Sequence, residues 1–203
     1  MGWFDWLKGG VEECPDCIWL STDAKWTGVA KTVQLRLAAP ERPTALFVVT
    51  HFPQTLHELQ AVLRDAEIDH ARVITTTVEA LLAASESAMS LHPTDRLEII
   101  AGERHFLPDP DARLRQFAED VPCHCWLTYH VSLDDPLLKA FSGQWVERVL
   151  RQMGMADDEA IQSYVVSRRI RAAQQKFARR VAHNHPVASA EEWLSVNAGD
   201  TRG

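Results

Sequence analysis

Over the first two thirds of the chain, short apolar runs alternate with apolar positions at helical spacing; beyond that only helical spacing remains. Ile18-Trp19-Leu20 predicts a short strand. Ser21 or Thr22 then caps a helix over Asp23–Leu37, in which Val29, Val33 and Leu37 share a face. Pro40 and Pro43 bracket a turn before Thr44–Thr50 (TALFVVT), a nearly continuous apolar run of the kind found where helices cover both faces of a parallel sheet. Thr55 opens a helix carrying Leu56, Leu59, Val62 and Leu63. A strand at Arg72–Thr75, a helix over Val78–Ser90, a buried strand at Leu97–Ala101, a weaker helix over Asp111–Glu119 and a strand at Cys125–Val131 complete the alternation. This order predicts an α/β three-layer sandwich with a mostly parallel sheet over residues 11–133.

From Asp134 to Val181 the pattern is helical. Helices are expected at Asp134–Phe141, Gln144–Met153 and Tyr164–Val181, followed by a polar tail over residues 182–203 with a short helix at Ala190–Val196. Residues 1–10 (MGWFDWLKGG) form a separate amphipathic segment. Trp3, Phe4, Trp6 and Leu7 either cap the domain's own core or make peripheral contact with a membrane interface.

The chain has 203 residues, 46% of them hydrophobic and 24% charged, enough to bury a core. A net charge of -7 argues against a nucleic-acid partner. No apolar run approaches a membrane span, and no leader peptide is visible. With four cysteines and no disulfide-scaffold pattern, the expected location is the cytoplasm, with the inner face of the membrane as the site of any peripheral contact.

Three groups of residues could carry chemistry. Cys14 and Cys17 form a C-x-x-C, and Cys123 and Cys125 a C-x-C. Four thiolates could close a tetrahedral zinc site; the first pair could also be a redox pair, or all four could be ordinary reduced cysteines. His51 follows the strongest strand, and Glu103, Arg104 and His105 follow another, at the edge where α/β sheets place ligands. They predict either a ligand or partner crevice or a salt-bridged loop cluster. A hydrolase built from His51, Glu103 and His105 has no nucleophile motif behind it. Finally, Arg168, Arg169, Arg171, Lys176, Arg179 and Arg180 lie on the long C-terminal helix with no acid between Tyr164 and Val181, beside an apolar stripe of Val165, Ile170, Ala173, Phe177 and Val181. Such a helix suits an acidic partner, RNA or anionic lipid, or it docks on residues 1–163, which carry a net -11.

Several segments resemble one family, the SecA preprotein-translocase ATPase. In Met153–Arg180 the matching positions are Gly154, Met155, Ala160, Ile161, Val166, Ser167, Arg168, Ile170, Ala173, Gln174 and Lys176. VSLDDPLLKAF (Val131–Phe141), AGERH (Ala101–His105) and DAKWTGV (Asp23–Val29) also resemble family segments. The resemblance covers about Ile18–Arg180 and is specific in the last third. It implies a RecA-like fold of the helicase C-terminal type, followed over residues 134–181 by the start of a scaffold helix. In the full motor, ATP lies between two such domains, the second supplying arginines that stabilise phosphoryl transfer.

The chain departs from that pattern in each catalytic part. It has no G-x-x-x-x-G-K-[ST] phosphate loop. The interval between the strands at Arg72–Thr75 and Leu97–Ala101 contains no glycine, although the family has a Gly-Arg-Gly-Thr-Asp segment there. Arg115 matches the family's first arginine and so joins His51, Glu103, Arg104 and His105 as an expected crevice residue, but the two finger positions after it are non-basic. Loss of an arginine finger costs roughly 10³–10⁵ in rate. The expectation is therefore a degenerate relative of the second motor domain, a non-catalytic protein-binding module with translocase or ribosome components as partners. It has no resident cofactor, and ATP binds only if a partner domain completes the cleft. The alternative is a small nucleotide- or ligand-binding protein or enzyme that re-uses the fold, stabilised by zinc at the cysteines.

Overall fold

The longest apolar runs become the central strands. The computed structural model describes residues 10–69, 71–84, 91–140, 155–156, 158–181 and 183–198. In chain order the elements are β1 (Val11–Glu13), β2 (Cys17–Trp19), α1 (Thr22–Ala38), β3 (Ala45–Thr50), α2 (Pro53–Asp65), β4 (Ile74–Thr77), α3 (Val78–Ala84), β5 (Arg96–Ala101), α4 (Pro108–Asp120), β6 (His124–Ser132), β7 (Ile161–Gln162), α5 (Tyr164–Ala178) and α6 (Ala190–Asn197). The sheet runs β4-β3-β5-β6-β2-β7, with β1 also on β6. All pairings are parallel except β2 with β7.

Strand alternation assigns each face. Phe47 and Val49 of β3, with Leu97, Ile99 and Leu127, pack under α3 and α4 through Val78, Leu81, Leu114 and Phe117. Leu46, Val48 and Ile100 pack on the opposite side against Trp26, Val29 and Val33 of α1 and Leu59 and Leu63 of α2. This is the three-layer arrangement expected from the apolar pattern. Two glycines allow close packing of tryptophan rings. A Cβ on Gly28 would stand 2.1 Å from the Trp19 ring, and one on Gly102 would stand 3.0 Å from Trp26.

Several boundaries differ from the sequence reading. Helix α2 starts at Pro53 rather than Thr55, and α4 at Pro108 rather than Asp111. Proline suits the first helical turn, where its missing N–H has no intrahelical partner to lose. The strand expected at Arg72–Thr75 is shifted to Ile74–Thr77, because the three threonines take the ladder on β3 and Val73 is buried just before it. Helix α2 ends in a Schellman turn. Ile68 N–H reaches Leu63 O at 3.1 Å, Glu67 N–H reaches Arg64 O at 3.0 Å, and Glu67 takes φ 54°. Strands β1 and β7 are too short and too polar to carry a periodic signal; pairing on β6 and β2 makes them. The helix expected over Val78–Ser90 is described to Ala84, and the one expected at Gln144–Met153 lies outside the described residues, as do Trp3, Phe4, Trp6 and Leu7.

Between the pairs Glu13↔Leu127 and Cys17↔His130, the β1–β2 side advances four residues and β6 only three. One extra residue bulges out, which bends the edge. Asp16 sits in this bulge and is fully buried.

The third core decides the C-terminal region. Ile18, Phe52, Phe106, Val131, Leu137 and Leu138 meet Ile170 of α5 and Ala190 and Trp193 of α6. Residues 183–198 are therefore not a polar tail but part of the packed domain. On α5 the inward stripe is buried Ile170 and Ala173 with partly buried Val166 and Phe177, closed by Val181; Val165, which the sequence reading placed in it, is 60% exposed. At about 100° per residue, Val165 falls on the neighbouring face.

Candidate functional site

The carboxyl ends of β3 and β5 deliver His51 and Glu103–His105 side by side, as the strand pattern anticipates. Their side chains then part company. Glu103 turns back on the β3–α2 connection. Its Oε1 accepts the His51 N–H at 2.8 Å and the Phe52 N–H at 3.0 Å, and its Oε2 accepts the Thr55 hydroxyl at 3.0 Å. The carboxylate thereby satisfies donors at the start of α2, which Phe52 leaves without a side-chain cap. Burial raises the Glu103 pKa, against the opposing charges of His51 and Lys25.

Arg104 turns the other way, into a buried ion network. Its Nη2 lies 2.6 Å from Asp16 Oδ1 and 3.2 Å from Glu13 Oε1, and its Nη1 lies 3.1 Å from Asp111 Oδ2. The guanidinium stacks 3.4 Å from the centroid of Tyr129. Only 3% of the Arg104 side chain is exposed. Burial works to discharge it, but Asp111, Tyr129 and Asp16 outweigh burial and hold it cationic. On the acids the balance differs. At Asp111, burial is outweighed by His51, Arg104 and Gln174, so its carboxyl stays below the usual range. At Asp16, burial wins over Arg104 and raises the carboxyl. One cation cannot fully compensate two buried carboxylates, and Asp111 has the richer set of donors.

Helix α5 completes this network. Gln174 Nε2 donates to Asp111 Oδ2 and to His105 O, both at 2.7 Å, and Ser167 Oγ accepts the Asp16 N–H at 2.9 Å. His51 Nε2 stands 2.7 Å from Asp111 Oδ1. The two atoms are close but not aligned for a hydrogen bond, and Nε2 has no hydrogen-bond partner among the described residues.

A crevice of about 400 Å³ lies over the strand ends, lined by His51, Phe52, His105, Arg113, His185 and Trp193, among others. Of the residues predicted for it, His51 and His105 line it, whereas Glu103, Arg104 and Arg115 do not. Arg115 instead pairs with Glu119 at 3.0 Å. Arg113, two residues earlier and so on the other side of α4, faces the crevice and has no ion pair among the described residues; the sequence resemblance pointed to Arg115 instead. Burial, with His51 next to it, lowers the His105 pKa to about 3, so this ring is neutral near pH 7.

The far wall of the crevice is the chain's own C-terminal segment. Ala188 O accepts the Gln54 N–H at 3.0 Å, taking one of the unpaired donors of α2. Trp193 stacks on Phe106 at 4.5 Å between centroids, and its Nε1 donates to Asn184 Oδ1 at 2.6 Å. Ser189 Oγ caps α6 through Glu192 N–H at 3.1 Å.

The zinc expectation is corrected by strand register. Cys125 lies opposite Val11, whereas Cys17 lies opposite His130. Five residues of strand separate those positions, about 16 Å at the usual rise. A tetrahedral zinc ion with bonds of about 2.3 Å cannot join them. All four thiols are free, and burial raises Cys17, Cys123 and Cys125, the last to about 12. Among the described residues no group of His, Cys, Asp and Glu is disposed to hold a metal ion.

A second buried histidine gives a pH test of the packing. His130 is 2% exposed, its Nδ1 accepts the Trp19 indole N–H at 3.2 Å, and burial, followed by the charge of Lys25, lowers its pKa to about 4. The unfolded chain binds this proton from about pH 6.5 downward while the folded chain refuses it until about pH 4. Stability is therefore lost as pH falls through that window, by at most about 1.4 kcal/mol per pH unit for one proton. Urea unfolding of His130→Gln between those limits is expected to show a shallower pH dependence than the parent; parallel curves would refute the assignment.

The whole of this fold bears comparison with known proteins. It is an α/β domain with a mostly parallel sheet, closed by a helical C-terminal segment. The chain is 33% identical over 130 residues, 64% of its length, to the protein translocase subunit SecA of Xanthomonas euvesicatoria and to that of Xanthomonas oryzae. It is 36% identical over 91 residues, 45% of its length, to the SecA of Xanthomonas campestris. It spans 13% of the length of the first two and 10% of the third. No protein-family model matches the chain. Among solved structures, the C-terminal part of the Fun30 ATPase domain is similar at 14% identity and a TM-score of 0.39, over 76% of this chain and 54% of that one. The chain is a relative of a segment of SecA.

Proposed function

We propose that the chain is a non-catalytic, SecA-like interaction module that serves protein export. The observation behind this reading is the engagement of the arginine at the end of β5. Arg104 is enclosed by Asp16, Glu13, Asp111 and Tyr129 and is not free to meet a phosphate, while Arg115, on α4, pairs with Glu119. The absence of a phosphate-loop motif from these 203 residues supports the same conclusion. The relationship to SecA supports the link to export, and translocase or ribosome components are the partners it suggests. Among the described residues no helix is long and apolar enough to cross a membrane.

A second reading, a small ligand-binding protein, is favoured by the crevice and by Arg113 in its lining, which has no ion pair among the described residues. Two measurements separate the readings. Phosphate release from ATP is expected to stay at the buffer level with the chain alone, and at the rate of SecA alone when SecA is added; turnover above those levels that falls on Arg115→Ala would defeat the non-catalytic assignment. Affinity capture of the tagged protein from its native cell is expected to return translocase or ribosome components. Capture without any export component would remove the export link and shift weight to the crevice.

A further inference from the structure

Helix α5 has two faces with opposite fates. Its inner face carries Val166, Ile170 and Phe177 into the third core beside the buried Ala173, with Ser167 and Gln174 bonded to the network around Arg104. Its outer face carries Tyr164, Val165, Arg168, Arg169, Ala172, Lys176 and Arg179, and all of them are exposed. Tyr164 and Val165 are 65% and 60% exposed, among the few large apolar side chains left on the surface. Of the six cations on or just after this helix, only Arg171 has an ion pair among the described residues, with Glu13 at 2.6 Å. Arg168, Arg169, Lys176, Arg179 and Arg180 have no ion pair among the described residues. Docking on the acidic body of the chain thus uses one arginine and leaves five.

We propose that this outer face is the docking surface for an acidic amphipathic helix of a partner protein. Val165, Ala172 and Arg179 recur at seven-residue spacing and Arg168, Ala172 and Lys176 at four, so apolar and cationic positions share one stripe. From Val165 to Arg179 the stripe is about 21 Å long, nearly four helical turns. A second helix can lie along it, with carboxylates meeting the flanking guanidinium groups and a few aliphatic side chains on Val165, Ala172 and the Tyr164 ring. Tyrosine and arginine are the residue types that concentrate binding energy in such interfaces.

Other polyanions fit less well. The outer face offers one aromatic ring, Tyr164, whereas single-stranded nucleic acid is held by several stacking rings along a groove. Its apolar component lacks the Trp, Phe or Leu positions that insert helices into lipid, and a chain of net charge -7 is repelled by an anionic leaflet. The proposal deepens the interaction-module reading and rests on it, but not on the link to export.

The test uses the full chain and a labelled synthetic helix of repeating Glu and Leu, followed by fluorescence anisotropy. Binding is expected to weaken by about tenfold or more in Arg168→Glu/Arg169→Glu, and also when salt rises from about 50 to about 500 mM. Tyr164→Ala/Val165→Ala is expected to weaken it severalfold, and Arg171→Ala to leave it unchanged. These sites are exposed, and circular dichroism checks that the variants remain folded. No binding of the acidic helix, equal binding by the charge-reversed variant, or tighter binding to polyuridylate or to phosphatidylglycerol vesicles would overturn the proposal. Loss of export components from native capture while peptide binding persists would strike only the export link. Retention of those components by Arg168→Glu/Arg169→Glu would strike only this surface.

Discussion

Replacing Arg104 by methionine is expected to cost about 3–5 kcal/mol of folding stability, the range for breaking a buried ion pair from one side. Methionine fills much of the same volume and can still lie on Tyr129, so the loss is chiefly electrostatic. Asp16 and Asp111 would remain buried, 0% and 5% exposed, without the cation that compensates them. Arg104→Lys is expected to recover little, because one ammonium cannot reach Asp16, Glu13 and Asp111 as the two Nη atoms do. Combining Arg104→Met with Asp16→Asn is expected to be less harmful than the single change, since one orphaned charge disappears with its partner. Urea unfolding of the four proteins measures this. An Arg104→Met midpoint within error of the parent, or a double variant no better than the single, would refute the hub as described.

Glu103 gives the second large effect and a sign that distinguishes its role. Glu103→Ala removes one acceptor group from three donors at once, the His51 and Phe52 N–H groups and the Thr55 hydroxyl. Leaving such donors unpaired is expected to cost about 3 kcal/mol in total. Glu103→Gln keeps a carbonyl for the two backbone donors, and its amide can donate to Thr55 Oγ1. It is expected to stay within about 1 kcal/mol of the parent at pH 7. The pH dependence follows from burial, which raises the Glu103 pKa above the ordinary value of 4.5. The folded chain then takes up this proton at higher pH than the unfolded chain, so this group's contribution to stability grows as pH falls from its folded pKa toward its unfolded one. Glu103→Gln abolishes that contribution. Unfolding curves across acid pH that are identical in shape for parent and Glu103→Gln would exclude a raised pKa at this site.

Both effects come from residues that the sequence pointed to for another reason. AGERH stood out as a strand-end motif facing a ligand edge, yet two of its three polar side chains work inward. Glu103 caps the β3–α2 turn and Arg104 secures the β1–β2 bulge to α4. His105 alone of the three lines the crevice. Similarly, Ser167 and Gln174 matched SecA positions without an evident task. They prove to be the buried contacts by which α5 holds Asp16, Asp111 and the His105 carbonyl. These positions thus fasten the C-terminal helix to the strand edge.

The sequence by itself determined the sheet and its helical cover. Runs such as TALFVVT and LEIIA can bury both faces of a strand only beneath two helix layers, and the intervening apolar spacing supplies those helices. It also determined that α5 carries excess positive charge, because charge is a property of composition. Only tertiary structure decided which charges are spent. Arg171 meets Glu13 while Arg168 and Arg169 have no ion pair among the described residues, and Arg113 rather than Arg115 turns to the crevice. Adjacent helix positions differ by about 100° in direction, so a one-residue difference in facing separates a partly buried valine, Val166, from an exposed one, Val165. Strand register likewise kept the cysteine pairs apart, and the folding of residues 183–198 over the strand ends followed from Trp193 finding Phe106. These outcomes depend on contacts between residues far apart in the chain, which local periodicity does not encode.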